Sequence, residues 1–115
     1  MTTKDEKPFE ARGNTVLITA ASTAPTGAQV APSAGYATGG AHIYRVANTG
    51  SVTVWLGVSN TAAGAQTNAA KPATTGAGIP ILAGAVELFS FDSSSYFSGY
   101  STASCEVAIT PGVGL

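Results

Sequence analysis

The sequence predicts an all-β fold of short antiparallel strands, a sandwich or a small barrel. Three observations predict it. From Val52 to Val58 the chain alternates strictly: Val52, Val54, Leu56 and Val58 take one side, Thr53, Trp55 and Gly57 the other. A period of two marks a strand with one buried face. Several further short apolar runs are separated by turn signals rich in Gly, Pro, Asn and Ser. No stretch carries the periodicity of a convincing amphipathic helix.

Taken in order, residues 1–13 read as a charged, non-periodic arm punctuated by Pro8, Phe9 and Gly13. Either it is a disordered terminus, or it orders on a partner with Phe9 as anchor and Arg12 as polar contact. One domain, 14–115, follows. Its first strand covers 14–21. The segment 22–40 is rich in Ala, Pro and Gly, with Tyr36 as its one aromatic and a short strand around Val30. Residues 43–47 and 51–56 read as the arms of a hairpin closed by Asn48-Thr49-Gly50. Asn tolerates a left-handed backbone there, and Gly has no Cβ to clash. Residues 59–78 are low in complexity. Ala-rich pieces suggest a helix, but Gly64, Pro72, Gly76 and Gly78 interrupt any span long enough to be stable alone. Residues 79–84 lead into a strand at 85–91, a Ser-rich turn follows at 92–95, and strands at 96–101 and 104–110 complete the domain. In the last strand Cys105, Val107 and Ile109 share a face, and Glu106, Ala108 and Thr110 share the other.

If consecutive strands alternate in direction, the long segments 22–40 and 59–78 lie at one end and the tight turns at 48–50 and 92–95 at the other. Two such loops at one end suggest a contact surface or a disordered crown.

Composition bears on function. Ala, Gly, Ser and Thr supply 61 of the 115 residues, and the large apolar types only 29. The core is thin for the length, so further burial against other chains is expected. Charge is sparse: Lys4, Asp5, Glu6, Lys7, Glu10 and Arg12 sit in the arm, and only Arg45, Lys71, Glu87, Asp92 and Glu106 lie beyond it. Globular chains ordinarily have about a quarter of their residues charged. A surface of small residues loses little entropy on contact and suits permanent packing. A net charge of −1 without a basic cluster argues against nucleic-acid binding. No apolar run reaches membrane-span length, and the N-terminus lacks the apolar segment of a secretory signal. The protein is therefore expected to stay where it is made or to leave by lysis. A single cysteine, Cys105, excludes an intramolecular disulfide.

Chemistry-bearing residues are few. His42 is the only histidine and has no evident partners for a triad or a metal site. Cys105, with apolar companions on its face, reads as a buried, inert thiol. Glu87, Asp92 and Glu106 show no pairing that suggests acid–base work, and dense calcium-ligand spacing is absent. Gly76-x-Gly78 lacks a third glycine in register and opens no helix, so it is not a phosphate loop. No enzyme activity, cofactor or metal is expected. The aromatics Trp55, Tyr96, Phe97 and Tyr100 read as a second apolar layer or an inter-subunit seam, or else as exposed platforms for sugars or protein partners.

Two segments carry a family resemblance. One is Ile43-Tyr44-Arg45-Val46-Ala47-Asn48-Thr49-Gly50 with Val52-Thr53-Val54-Trp55-Leu56-Gly57. The other is Pro80-Ile81-Leu82-Ala83-Gly84-Ala85-Val86-Glu87-Leu88-Phe89, closing in Ala108-Ile109-Thr110-Pro111-Gly112-Val113-Gly114-Leu115. This layout over 41–115 resembles small β-structured virion proteins of tailed bacteriophages, with a variable entry, an RxxNxG hairpin, an LPGxxEVF strand and a TPGxG end. Ala83 stands where a proline is common. The resemblance implies a jelly-roll-like sandwich that decorates and cements the capsid. It would bind the outside of the major capsid protein lattice as a homodimer or homotrimer and stabilise the head. The location implied is the capsid surface of the virion, after synthesis in the bacterial host cytoplasm. Terminal arms in such proteins reach adjacent subunits, which would give residues 1–13 a role. The alternative is a tail-tip or fibre module recognising host-surface glycans.

Overall fold

The computed structural model describes residues 9–31 and 43–113. They form strands β1 (Glu10–Ala11), β2 (Val16–Ala20), β3 (Ala28–Gln29), β4 (Ile43–Asn48) and β5 (Val54–Ser59), one short helix α1 (Ala62–Asn68), then β6 (Ile79–Ile81), β7 (Val86–Ser90), β8 (Tyr96–Tyr100) and β9 (Cys105–Val113). The fold is mostly β, as expected, with two antiparallel sheets. In the first, β7, β4 and β9 lie side by side. The far edge of β9 is shared by β2, against residues 105–109, and β1, against 112–113. The second runs β3-β8-β5-β6. A lone parallel bridge from Ala21 to Tyr100 ties the end of β2 to the second sheet.

The inward faces meet in one core, as in a sandwich. The first sheet contributes Ile18, Tyr44, Val46, Cys105, Val107 and Ile109, and the second Val54, Leu56, Ile81 and Phe97. The alternation expected at 52–58 is observed: Val54 and Leu56 are buried, and Val52 and Val58 pack against the core. So is the inward set Cys105, Val107 and Ile109. Tyr44 meets Phe97 edge-on, with ring centroids 4.9 Å apart, and Phe91 and Phe89 extend the aromatic layer.

The hairpin expected over 43–56 does not form. β4 and β5 lie in different sheets, and β4 pairs with β7 and β9 instead. The link at 49–53 crosses from one sheet to the other. The left-handed backbone expected at Asn48-Thr49-Gly50 is absent, since neither Asn48 nor Gly50 has a positive φ. Glycine is needed at 50 because a Cβ there would collide with Cys105 Sγ, and the partner of each strand is a long-range choice. Asn48 makes the crossing possible. Its amide nitrogen donates to Val52 O (2.8 Å) and Ile81 O (2.9 Å), and its side-chain oxygen accepts from Gly50 N (3.0 Å) and from the Cys105 thiol (3.2 Å). Asn48 thus uses its side chain to hold the 49–53 link, β6 and β9 around the end of β4.

The placement of the turns is corrected too. β6 adds a reversal between β5 and β7, so the turns at 48–50 and 92–95 lie at opposite ends of β4. The former meets the 82–85 turn through Asn48 N to Ala85 O (2.9 Å) and Gly84 N to Asn48 O (3.0 Å). The latter is tied to Tyr44, whose hydroxyl lies 3.1 Å from Asp92 O and 3.2 Å from Val30 O and accepts from Ser95 N at 3.3 Å.

Two shorter differences follow. Of the arm expected over 1–13, residues 1–8 lie outside the described residues, while β1 is docked on β9 and Arg12 N donates to Pro111 O (2.8 Å). Strand β9 also runs past Thr110, through Pro111, to Val113. Proline is tolerated because the C=O and the absent N–H of one residue point to the same side of a strand, here the side where β2 has ended and β1 has not begun.

Candidate functional site

The two sheets differ on their outer faces. On the second sheet, Gly57 and Ser98 are cross-strand neighbours pointing outward, and α1 lies over them. A Cβ at Gly57 would stand 2.8 Å from Ala69 Cα and closer still to the backbone of Ala65. The missing side chain is therefore what lets the helix approach. Thr61 caps α1, its hydroxyl accepting from Gly64 N at 3.0 Å, and Ala65 and Ala69 form its buried side. The preceding segment closes over the same face: Ser98 Oγ donates to Pro25 O (2.6 Å), Gln66 Nε2 to Ala24 O (2.9 Å), and Gly27 N to Ala62 O (3.2 Å).

Beyond α1 the same face stays open. Trp55 pairs in register with Tyr100 on β8 and with Pro80 on β6, so the three rings share one outward row. Together with Ser51, Thr53, Lys71, Leu82 and Thr102 they line a groove of about 530 Å³. The wall is mostly apolar, edged by hydroxyls from Ser51, Thr53 and Thr102 and by the Lys71 ammonium. Such a surface can stack against a flat apolar face and hydrogen-bond its rim.

Of the five contact residues expected from sequence, the fold brings together two. Trp55 and Tyr100 share the groove. Tyr96 faces the same side but pairs with Ser59 on the other side of the Gly57–Ser98 row, so α1 separates it from them. Phe9 and Arg12 sit on the other sheet, where Phe9 rests against Gly112 and the Arg12 guanidinium meets Glu10 at 3.2 Å. Sequence reasoning missed Lys71, Pro80, Thr53 and Thr102: Pro80 and Lys71 reach the groove because β6 and the chain after α1 fold beside β5, and Thr53 and Thr102 because β5 pairs with β8. One signal was present: Thr61 before an Ala-rich run is a helix start, and Pro72 beyond it is a stop.

Among the described residues no three of His, Cys, Asp and Glu come close enough to hold a metal ion. Cys105 is buried and donates to Asn48 Oδ1 and Val52 O. His42 lies outside the described residues. No helix among those residues is long and apolar enough to cross a membrane. Compared with protein-family models, curated proteins and solved structures, the chain matches none.

Proposed function

We propose that this is a structural virion protein of a tailed bacteriophage, a decoration or cement protein that binds the outside of the major capsid protein lattice and stabilises the head. The observation that carries the reading is strand order. Counted from β2, eight strands pair first with eighth, second with seventh, third with sixth and fourth with fifth, and these pairs alternate between the two sheets. Such pairing is what an antiparallel ribbon wound into a jelly roll would give, and it supports reading the sandwich as that architecture, one used by viral capsid and lectin domains. The departure at Ala83 is compatible with the family pattern. It falls at the second position of the turn closed by Ala85 N to Leu82 O (2.9 Å), where proline is favoured, and Gly84 follows with φ 76°. In this reading the protein acts by binding and not by catalysis. It works as a homo-oligomer on the capsid surface after synthesis in the host cytoplasm.

One fold hosts many functions, so location is the test. Purified virions are expected to contain the chain in near-stoichiometric ratio to the major capsid protein by mass spectrometry, with cryo-EM density outside the shell. Absence from purified particles overturns the proposal.

The Trp55–Tyr100 groove favours a second reading, a tail-tip or fibre module for host-surface glycans. An indole and a phenol bordered by hydroxyls suit the apolar face and hydroxyl rim of a sugar ring. Glycan-array binding that Trp55→Ala abolishes, with immunogold labelling on the tail, would support it against the first.

A further inference from the structure

Among the described residues no helix lies on the outer face of the first sheet. Three of the four exposed large apolar side chains among the described residues lie there: Leu17 is 59 % exposed, Val86 51 % and Leu88 40 %. Register aligns Leu17, Ala108, Ala47 and Val86 in one row across β2, β9, β4 and β7. Among the described residues Phe9 covers the far end of this face, over Gly112.

We propose that this face packs against the same face of a second copy of the chain. The contact is isologous, with its two-fold axis running along the Leu17–Val86 row. Charge placement selects this occupant. Arg45 stands two residues from Ala47 on one side of the row, and Glu106 two residues from Ala108 on the other side, on adjacent strands. Both are exposed and on the outward face. Each lies about 7 Å from the row, and the strands are about 4.8 Å apart. Rotation about the row carries the Glu106 side of one copy over the Arg45 side of the other. Each Arg45 then meets the partner's Glu106, twice per dimer, while the apolar row meets itself. The four strands over about five residues bury on the order of 1,000 Å² across both copies, the threshold of a specific interface. The small Ala108 and Ala47 at the centre let the sheets approach, and the reciprocal ion pairs set register more than affinity.

The inference deepens the self-association in the reading above but needs no capsid, so it is tested on the purified full chain by sedimentation and light scattering. The wild type is expected to be a dimer, with a Kd that Arg45→Glu and Glu106→Arg each raise by about tenfold or more. The double variant Arg45→Glu/Glu106→Arg recovers most of that loss. Leu17→Glu, at an exposed site that leaves the core intact, disrupts the dimer independently of the charges. A monomer at concentrations up to about 100 µM, a trimer, single charge variants that leave Kd unchanged, or a double variant no better than the singles would each overturn the proposal. Absence from virions together with a charge-swappable dimer would reject the capsid reading and keep this one.

Discussion

At the scale of single residues, Asn48 does the most to join distant parts of the chain. It is 1 % exposed and both donors and both acceptor sites of its side chain are used. Truncating it strands the carbonyl of Ile81 and weakens the hold on Val52, in a place water does not reach. Asn48→Ala is expected to lower stability by about 2–4 kcal/mol, read as a lower urea midpoint with an unchanged slope. Asn48→Asp loses both donors and buries a charge, so it should be at least as damaging. A wild-type midpoint in either variant would mean the network contributes nothing. The residue was legible in the sequence as a turn former, because Asn-Thr-Gly is turn chemistry. Its role as the pin between sheets was not legible, because three of its four partners (Val52, Ile81 and Cys105) lie outside the turn and are set by tertiary folding.

At the scale of elements, α1 shows why local propensity is a weak guide in a low-complexity stretch. Seven residues with an internal Gly64 cannot hold a helix in water. What stabilises it is the docking of Ala65 and Ala69 on the bare backbone of Gly57, together with the Thr61 cap. Gly57→Ala is expected to push the helix off the sheet and cost about 1–3 kcal/mol, with faster amide exchange over residues 62–68 as its specific signature. Unchanged exchange in that variant would show that the close approach is not needed. The strands, by contrast, were readable, because alternation over 52–58 and 105–109 reports burial directly. Their pairing was not: β4 and β5 are adjacent in sequence and separated by the whole core.

At the scale of the whole molecule, the arm and the two outer faces divide the work. Phe9 over Gly112, β1 on β9 and the Arg12 N to Pro111 O bond make residues 9–13 part of the domain's own stability. Removing residues 1–13 is therefore expected to lower the melting temperature by about 5 °C or more, whereas a truncation ending at residue 8 keeps these contacts and the wild-type melt. Equal melts for the two truncations would make residues 9–13 dispensable. The two outer faces are opposite in character. One is closed by α1 except at the Trp55 groove, and the other is an open apolar row with a charge of each sign beside it. Thin composition predicted burial against other chains but could not say where, because Leu17, Val86 and Leu88 read in sequence as ordinary strand residues.

By itself the sequence determined that this chain builds short strands, which residues face inward over 52–58 and 105–109, and that its surface is poor in charge. These follow from period, turn chemistry and composition, which are local and additive. The tertiary structure alone decided which strands pair, where the 49–53 link crosses, that a helix forms at 62–68, and that Trp55 and Tyr100 share a groove without Tyr96. Those outcomes depend on contacts between residues far apart in the chain. Hydrogen-bond satisfaction at Asn48 and Tyr44, and the space left by Gly57, select among pairings that the local pattern leaves equivalent.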